Sequence, residues 1–121
     1  MSYPSPIVLK DAAAANQNFI RLTGDKAQVN YLLSPSSLSA PVSLVIGHQM
    51  ATSKAGSDRH LVKITHTALD VAGNPFTLTM NTTLSVPRNT SISRTMINDA
   101  IAQMREFFGT ANVDALLRGE L

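Results

Sequence analysis

The three histidines, His48, His60 and His66, are the side chains of this 121-residue sequence best suited to acid–base or metal chemistry. His60 and His66 stand at even separation in one strand-like run, so both point to the face that carries Val62 and Ile64. Their spacing corresponds to about 20 Å along a strand, too far for the pair to share a metal ion. A structural role is the stronger reading for both, and His48, at the end of the preceding run, reads the same way. Asp11, Asp25, Asp58 and Asp70 all fall at turn positions, where a carboxylate hydrogen-bonds its own backbone, so catalysis is not needed to explain them. The chain has no Cys, which removes a thiol nucleophile, a disulfide framework and any Cys-based zinc or iron–sulfur site. Its six glycines are scattered singly, with no nucleophile elbow and no phosphate-cradling loop. No catalytic residue, metal or cofactor is expected, and no small-molecule substrate.

Binding chemistry is better supported than catalysis. Up to Asn98 the chain has eight Lys/Arg against four Asp, a balance of +4; from Asp99 onward it has two against four, a balance of −2. This count predicts a basic sheet and an acidic tail. An electropositive polar face can hold phosphates while Thr, Ser and Asn side chains reach bases or sugars. On charge alone an ordinary solvated face is the somewhat stronger reading, and no aromatic on that face suggests base stacking.

The elements that must position these residues follow from periodicity. Ile7–Lys10 and Asn18–Thr23 read as a hairpin, with Gly24-Asp25 as the next turn. Gln28–Leu33 is a third strand, stopped by Ser34-Pro35-Ser36-Ser37, and Val42–Gln49 a fourth. A polar turn over Thr52–Asp58 leads to a fifth strand, Arg59–Leu69; Asp70–Pro75 is a loop, and Phe76–Val86 is the sixth. In the sixth strand Phe76, Leu78, Met80, Leu84 and Val86 share one parity, interrupted only by Thr82, while Thr77, Thr79, Asn81, Thr83 and Ser85 hold the other. Such alternation belongs to an antiparallel sheet with one dry and one wet face. The fourth strand divides likewise into Val42, Leu44 and Ile46 against Ser43, Val45, Gly47 and Gln49.

Beyond Pro87 the period changes. Ile92, Met96, Ala100, Met104 and Phe108 step by four, flanked by Ile97, Ile101 and Phe107, which predicts an amphipathic helix with Thr90 or Ser91 as N-cap and Gly109 at C′. A shorter helix follows, with Val113, Leu116 and Leu117 apolar and Gly119 at its end. Strands first and helices after give an α+β domain: hairpin, antiparallel meander, then two C-terminal helices. The whole of 1–121 reads as one domain, with 1–87 as hairpin and sheet and 88–121 as helical tail.

Composition adds a constraint. Hydrophobic residues make up 44% of the chain and charged residues only 15%, below the usual quarter, so much of the surface is neutral, as in proteins that hide surface against partners. The opening Met1-Ser2-Tyr3-Pro4-Ser5-Pro6 lacks the basic and apolar regions of a secretory signal, and no stretch has the length of a membrane span. A cytosol-like site of synthesis without membrane association is expected.

The order of these elements resembles the coat proteins of small single-stranded RNA bacteriophages, over about Pro6 to Leu121. The resemblance is carried by Pro6-Ile7-Val8-Leu9-Lys10-Asp11, by Val42–Gln49 followed by a polar turn, and by Arg59-His60-Leu61-Val62-Lys63-Ile64. Thr83-Leu84-Ser85-Val86-Pro87 running into a helix and the closing Val113-Asp114-Ala115-Leu116-Leu117 complete it. It implies an interlocked homodimer whose sheets join edge to edge beneath helices exchanged between subunits. Dimers would assemble into an icosahedral virion, made in the bacterial cytoplasm, with the sheet facing a packaged RNA genome. In the family that face also binds an RNA hairpin and represses replicase translation.

Carried onto this chain, the RNA-facing set is Ser43, Val45, Gly47, Gln49, Arg59, Leu61, Lys63, Thr65, Thr79, Asn81 and Thr83, with Lys63 and Asn81 foremost. The loop Asp70, Val71, Ala72, Gly73, Asn74 and Pro75 would make inter-subunit contacts, and Ile92, Met96, Ile97, Ala100, Ile101, Met104, Phe107 and Phe108 would form the dimer helix. The chain departs from better-known relatives in having Val45, Gly47 and Leu61 at polar or basic positions and no Tyr beside Asn81. Two other readings stay open: a dimeric RNA-binding regulator that forms no shell, and a small α+β enzyme using His60 or His66.

Overall fold

The computed structural model describes Tyr3 and residues 5–25, 27–34, 39–109 and 112–119. The expected Pro35-Ser36-Ser37 stop lies outside these residues. Two compact units are present, Met1–Val86 and Pro87–Leu121.

The first unit is a six-stranded sheet of β1 (Ile7–Lys10), β2 (Asn16–Gly24), β3 (Gln28–Ser34), β4 (Val42–Gln49), β5 (Ser57–Leu69) and β6 (Pro75–Pro87), in spatial order β1-β2-β3-β4-β5-β6. Four of the connections are organised by an aspartate that the sequence places there: Asp11, Asp25, Asp58 and Asp70. Asp11 Oδ1 accepts from the N–H groups of Ala13 and Ala15, at 2.9 and 3.0 Å, and Ala14 takes a positive φ of 64°. Asp25 Oδ1 accepts from Ala27 and Gln28 N–H, at 2.7 and 2.8 Å. Those backbone bonds favour the ionised form and hold the Asp25 carboxyl below the usual carboxylate range. Asp58 ties down the β4–β5 connection by accepting from Ala51 N–H at 2.7 Å.

Register sorts the side chains by face, because residues directly opposite on neighbouring strands point the same way. Ile7 pairs with Phe19 and Phe19 with Leu33; Tyr31 pairs with Leu44 and Leu44 with Ile64; Val29 pairs with Ile46 and Ile46 with Val62. The core is the middle of that face: Phe19, Tyr31, Leu44 and Ile46 are buried, with Ile7, Val29, Leu33, Val42 and Ile64 packed around them. Burial fades toward β6, where Phe76 and Leu78 are 64% and 68% exposed.

The second unit holds α1 (Arg94–Phe108) and α2 (Asn112–Leu117). Ser93, rather than Thr90 or Ser91, is the N-cap: its hydroxyl accepts from Met96 N–H at 3.2 Å. Asn89 takes the upstream turn by accepting from Ser91 N–H at 2.8 Å, so the helix starts later than expected. Ile92 therefore lies outside the helix, at N′ opposite Ile97 at N4, the positions of a hydrophobic staple; both are half-buried. Gly109 is the C-cap at φ −90°, a conformation open to any residue, rather than a left-handed C′ glycine. Its N–H donates to the carbonyls of Arg105 and Glu106.

The boundary at Pro87 also revises the charge division. Arg88 and Arg94 belong to the helical unit, so residues 1–86 carry six basic and four acidic groups, +2, and residues 87–121 carry four of each, zero. The sheet unit is basic, but the tail is neutral rather than acidic. Among the described residues no helix is long and apolar enough to cross a membrane.

Candidate nucleic-acid interface

The face opposite the core is built by the same register. β4 and β5 set Ser43 opposite Thr65, Val45 opposite Lys63, Gly47 opposite Leu61 and Gln49 opposite Arg59. These eight residues, expected on one face from alternation in the fourth strand and from the resemblance in the fifth, share one side of the sheet. Ser43 and Thr65 join hydroxyl to hydroxyl, which fixes the polar end of the row.

β6 extends the face. Asp70 N–H donates to Asn74 O at 3.0 Å and the Thr67 and Thr77 hydroxyls meet at 3.2 Å, so the β5–β6 hairpin pairs Thr67 with Thr77. Leu61 and Thr83 line one cavity, as a regular continuation of that pairing requires. Thr79 and Asn81 are exposed on the same parity as Thr77 and Thr83.

Sequence reasoning missed the contribution of β3 and β2. Gln28 pairs with Gly47, Asn30 with Val45 and Leu32 with Ser43, so Gln28 and Asn30 stand on the polar face. A register shift between Arg21 and Thr23 then re-aims the chain. Arg21 lies opposite Tyr31 on the core side, whereas Thr23 lies opposite Asn30 on the polar side. The side chains form a chain of bonds: Gln28 Nε2 donates to Asn30 Oδ1 at 3.1 Å, and Asn30 Nδ2 donates to Thr23 Oγ1 at 2.8 Å. The alternation Gln28, Asn30 against Val29, Tyr31, Leu33 was the signal that could have found them.

The surface is broad and concave rather than a closed pocket. A cavity of about 390 Å³ is lined by Gln28, Gly47, Gln49, Arg59, Leu61 and Thr83, with Ala27, His48 and His60 at its side. Next to it lies one of about 350 Å³ containing Thr23, Asn30 and Gln28. Lys63 and Arg59 supply cations, and the Gln, Asn and Thr side chains offer donors and acceptors, which is a set able to hold phosphate and read base or sugar edges. Val45, Gly47 and Leu61 interrupt the hydrogen-bonding side chains around them, Asn30 and Lys63 beside Val45 and Gln28 beside Gly47.

The other expected site residues fall in two places. The β5–β6 loop spans residues 70–74, with Pro75 already in β6. Asp70 organises it: Oδ1 accepts from Ala72 N–H at 2.9 Å and Asn74 N–H at 2.8 Å, and Oδ2 from Asn74 Nδ2 at 3.2 Å. The Asn74 backbone bond is the main cause of an Asp70 carboxyl held below the usual range. Gly73 sits at φ +85°, which favours glycine, and Val71 projects fully into solvent. In α1 none of the stripe is buried; Met96, Ile101 and Met104 are about half-exposed.

The histidines hold a further arrangement that strand periodicity does not reveal. His48 pairs directly with His60 across β4 and β5, with Nδ1 atoms 2.8 Å apart, on the face that also carries His66. Among the described residues no group of three or more His, Asp or Glu is placed to hold a metal ion.

No protein-family model matches the sequence, and no curated protein matches it. Solved structures do match along nearly the whole chain. The virus-like particle of bacteriophage ESE058 superposes with a TM-score of 0.75 at 16% identity, covering 99% of this chain and 98% of that one. That of Beihai levi-like virus 21 gives 0.72 at 13% identity, covering 98% and 95%. The coat protein of bacteriophage EMS014 gives 0.66 at 16% identity, covering 86% and 72%. The hairpin, antiparallel sheet and two C-terminal helices of this chain are thus the fold of the coat proteins and virus-like particles of levi-like bacteriophages.

Proposed function

We propose that the chain is a structural coat-protein subunit that dimerises, assembles into a closed shell and packages single-stranded RNA on the polar face of its sheet. The observation that carries this reading is the near end-to-end match to chains that form virus-like particles. The surface supports it. Phe76, Leu78 and Met80 of β6 and Met96, Ile101 and Met104 of α1 remain substantially exposed, apolar area that a single subunit leaves wet and a second copy would cover. The opposite face offers Lys63, Arg59, Asn81 and the threonines to nucleic acid. Continued regularly, the Thr67–Thr77 pairing sets Asn81 beside Lys63, a donor–acceptor amide next to a cation. The role is structural rather than catalytic, and the exposed loop at residues 70–74 is the inter-subunit contact. Because Val45, Gly47 and Leu61 interrupt the polar row, packaging through phosphate and scattered base contacts is the reading, ahead of tight recognition of one repressor hairpin.

Expression in bacteria followed by sizing tests it. Megadalton particles with strong absorbance at 260 nm are expected; a 13.0 kDa monomer, or a dimer that never assembles, would refute the shell. Lys63→Ala should lower RNA content and reduce the salt dependence of RNA affinity by about 0.7–0.9 in log–log slope per lost phosphate contact, with dimers intact. Loss of the dimer instead would place Lys63 on the wrong face.

A further inference from the structure

The contact between His48 and His60 is a hydrogen bond that a fully protonated pair cannot make. We propose that it is an acid-sensitive clasp: a second proton breaks it, and mild acid thereby weakens the association of subunits across the face assigned above to a second copy. The inference rests on that assignment.

The two residues are register partners on adjacent strands, with Nδ1 atoms 2.8 Å apart and ring planes at 73°. A neutral imidazole carries one N–H and one lone pair, so one Nδ1 donates and the other accepts. The bond survives one added proton, which goes to Nε2 of the donating ring. A second proton has only the accepting Nδ1 to go to. Two N–H groups then face each other across the gap, and two like charges sit on neighbouring strands.

The surroundings answer one charge and not two. Along β5 the next residue on the same face is Asp58, half-buried, whose Oδ1 accepts from Ala51 N–H at 2.7 Å. The other neighbours are uncharged or committed elsewhere. Ile46 precedes His48 on its face of β4 and Met50 follows the strand; Val62 follows His60 on β5. On the β3 side the Ala27 carbonyl accepts from His48 N–H at 2.8 Å, and Asp25 Oδ1 is engaged by the N–H groups of Ala27 and Gln28. Continued regularly, the Thr67–Thr77 pairing sets Leu84 of β6 beside His60. The Tyr3 ring stacks on His48 with planes at 7°. Arg59 and Lys63 stand on the opposite face, and His66 lies six residues further along β5. Tyr3, Met50 and Val62 are exposed in the single chain, so a second copy laid on this face would shut the half-buried pair away from water.

The direction of the effect follows. Apart, each ring takes its own proton; covered together, the second is refused. Separated chains therefore bind more protons than associated ones, and association is lost as pH falls through the range in which imidazoles charge, about 7 to 5. Asp25 and Asp70, both held below the usual carboxylate range, stay ionised there and do not drive the change.

The test is urea unfolding of the full-length protein at several concentrations and at pH values from 7.5 to 5. One extra proton per subunit on separation weakens the dimer by up to about 100-fold per pH unit at the acid end. His48→Gln and His60→Gln should each flatten that dependence, because one imidazole remains and Asp58 answers it. His66→Gln, on the same face of β5, should keep it. In the unsubstituted protein, amide exchange at residues 46–49 and 58–62, corrected for intrinsic rate, should rise between pH 7.5 and 5.5 ahead of that at residues 29–33, a readout that needs no variant to fold. A midpoint independent of concentration at pH 7.5 would sink the second-copy assignment, and the proposal with it. Where the dimer is present at pH 7.5, the proposal alone is overturned by an affinity that does not change with pH, by a change that survives both substitutions, or by one that His66→Gln removes.

Discussion

Truncating Leu78 to alanine separates an exposed side chain that waits for a partner from one that is simply exposed. Leu78 keeps 68% of its surface in water, on the apolar parity of β6 with Phe76 and Met80. Full burial of a leucine side chain is worth about 1.5–3 kcal/mol, so covering the two-thirds still exposed is worth about 1–2 kcal/mol. A symmetric dimer loses this twice, about 2–4 kcal/mol, which corresponds to roughly 30- to 700-fold in dimer affinity. For a subunit that stays single, the same substitution at a wet position should shift stability by no more than about 0.5 kcal/mol. Urea unfolding followed at several protein concentrations reads both quantities, because only a dimer has a concentration-dependent midpoint. Leu78→Ala should lower the midpoint at every protein concentration while the dependence on concentration persists, and Thr79→Ala, one residue along on the polar parity, should leave the midpoint unchanged. An unchanged midpoint in Leu78→Ala, or an equal loss in Thr79→Ala, refutes the assignment of this face to a second copy.

Other perturbations act inside the subunit. Leu44→Ala, at a position 2% exposed between Tyr31 and Ile64, should destabilise by about 2–5 kcal/mol in denaturant titration, the range for a large-to-small change in a packed core. Ser93→Ala removes the acceptor for Met96 N–H and should cost about 1 kcal/mol, seen as faster amide exchange in the first turn of α1. Asp70 has a folded-state carboxyl pKa below its unfolded value of about 3.8, so its contribution is present above that pH and disappears as the pH falls through the lower folded value. Acid should therefore release the 70–74 turn, raising amide exchange at Ala72 and Asn74, and Asp70→Ala should show that rapid exchange already at neutral pH.

The parity of the strands was legible because alternation and register are two expressions of one period. Ser43, Val45, Gly47 and Gln49 in β4 and Arg59, Leu61, Lys63 and Thr65 in β5 could be sorted before their partners were known. What pairing alone reveals was not legible. That His48 meets His60 depends on the length of the β4–β5 connection, which sets register and leaves no trace in either strand's own pattern. The extra residue that turns Thr23 toward Asn30 is equally silent, since Leu22 reads as one more apolar position. At the start of α1 three candidate hydroxyls and an asparagine compete within five residues, and Asn89 winning the first turn is what moves the cap to Ser93. The tail's acidity failed for a simpler reason: the count was divided at Asp99, whereas the fold divides at Pro87.

The sparse charge and generous hydrophobicity of the sequence go together with how little the single chain buries. Among the described residues only Phe19, Tyr31, Leu44 and Ile46 are buried, although 44% of the chain is hydrophobic. A 121-residue chain stabilised alone would normally place much more of its apolar side-chain area in its own core, since a domain near this size buries about two-thirds of its unfolded surface. Here Phe76, Leu78, Met80, Met96, Ile101 and Met104 stay half or more in water, or close to it. Each leaves unclaimed a part of the 1.5–3 kcal/mol, in round terms about 1 kcal/mol, that burial would supply. Summed over two copies, that deficit is comparable to the whole stability of a small domain, about 5–15 kcal/mol. Folding and association should accordingly be one transition: dilution that separates the subunits should unfold them, and a folded monomer that persists at nanomolar concentration would show that this apolar surface serves something other than a second copy.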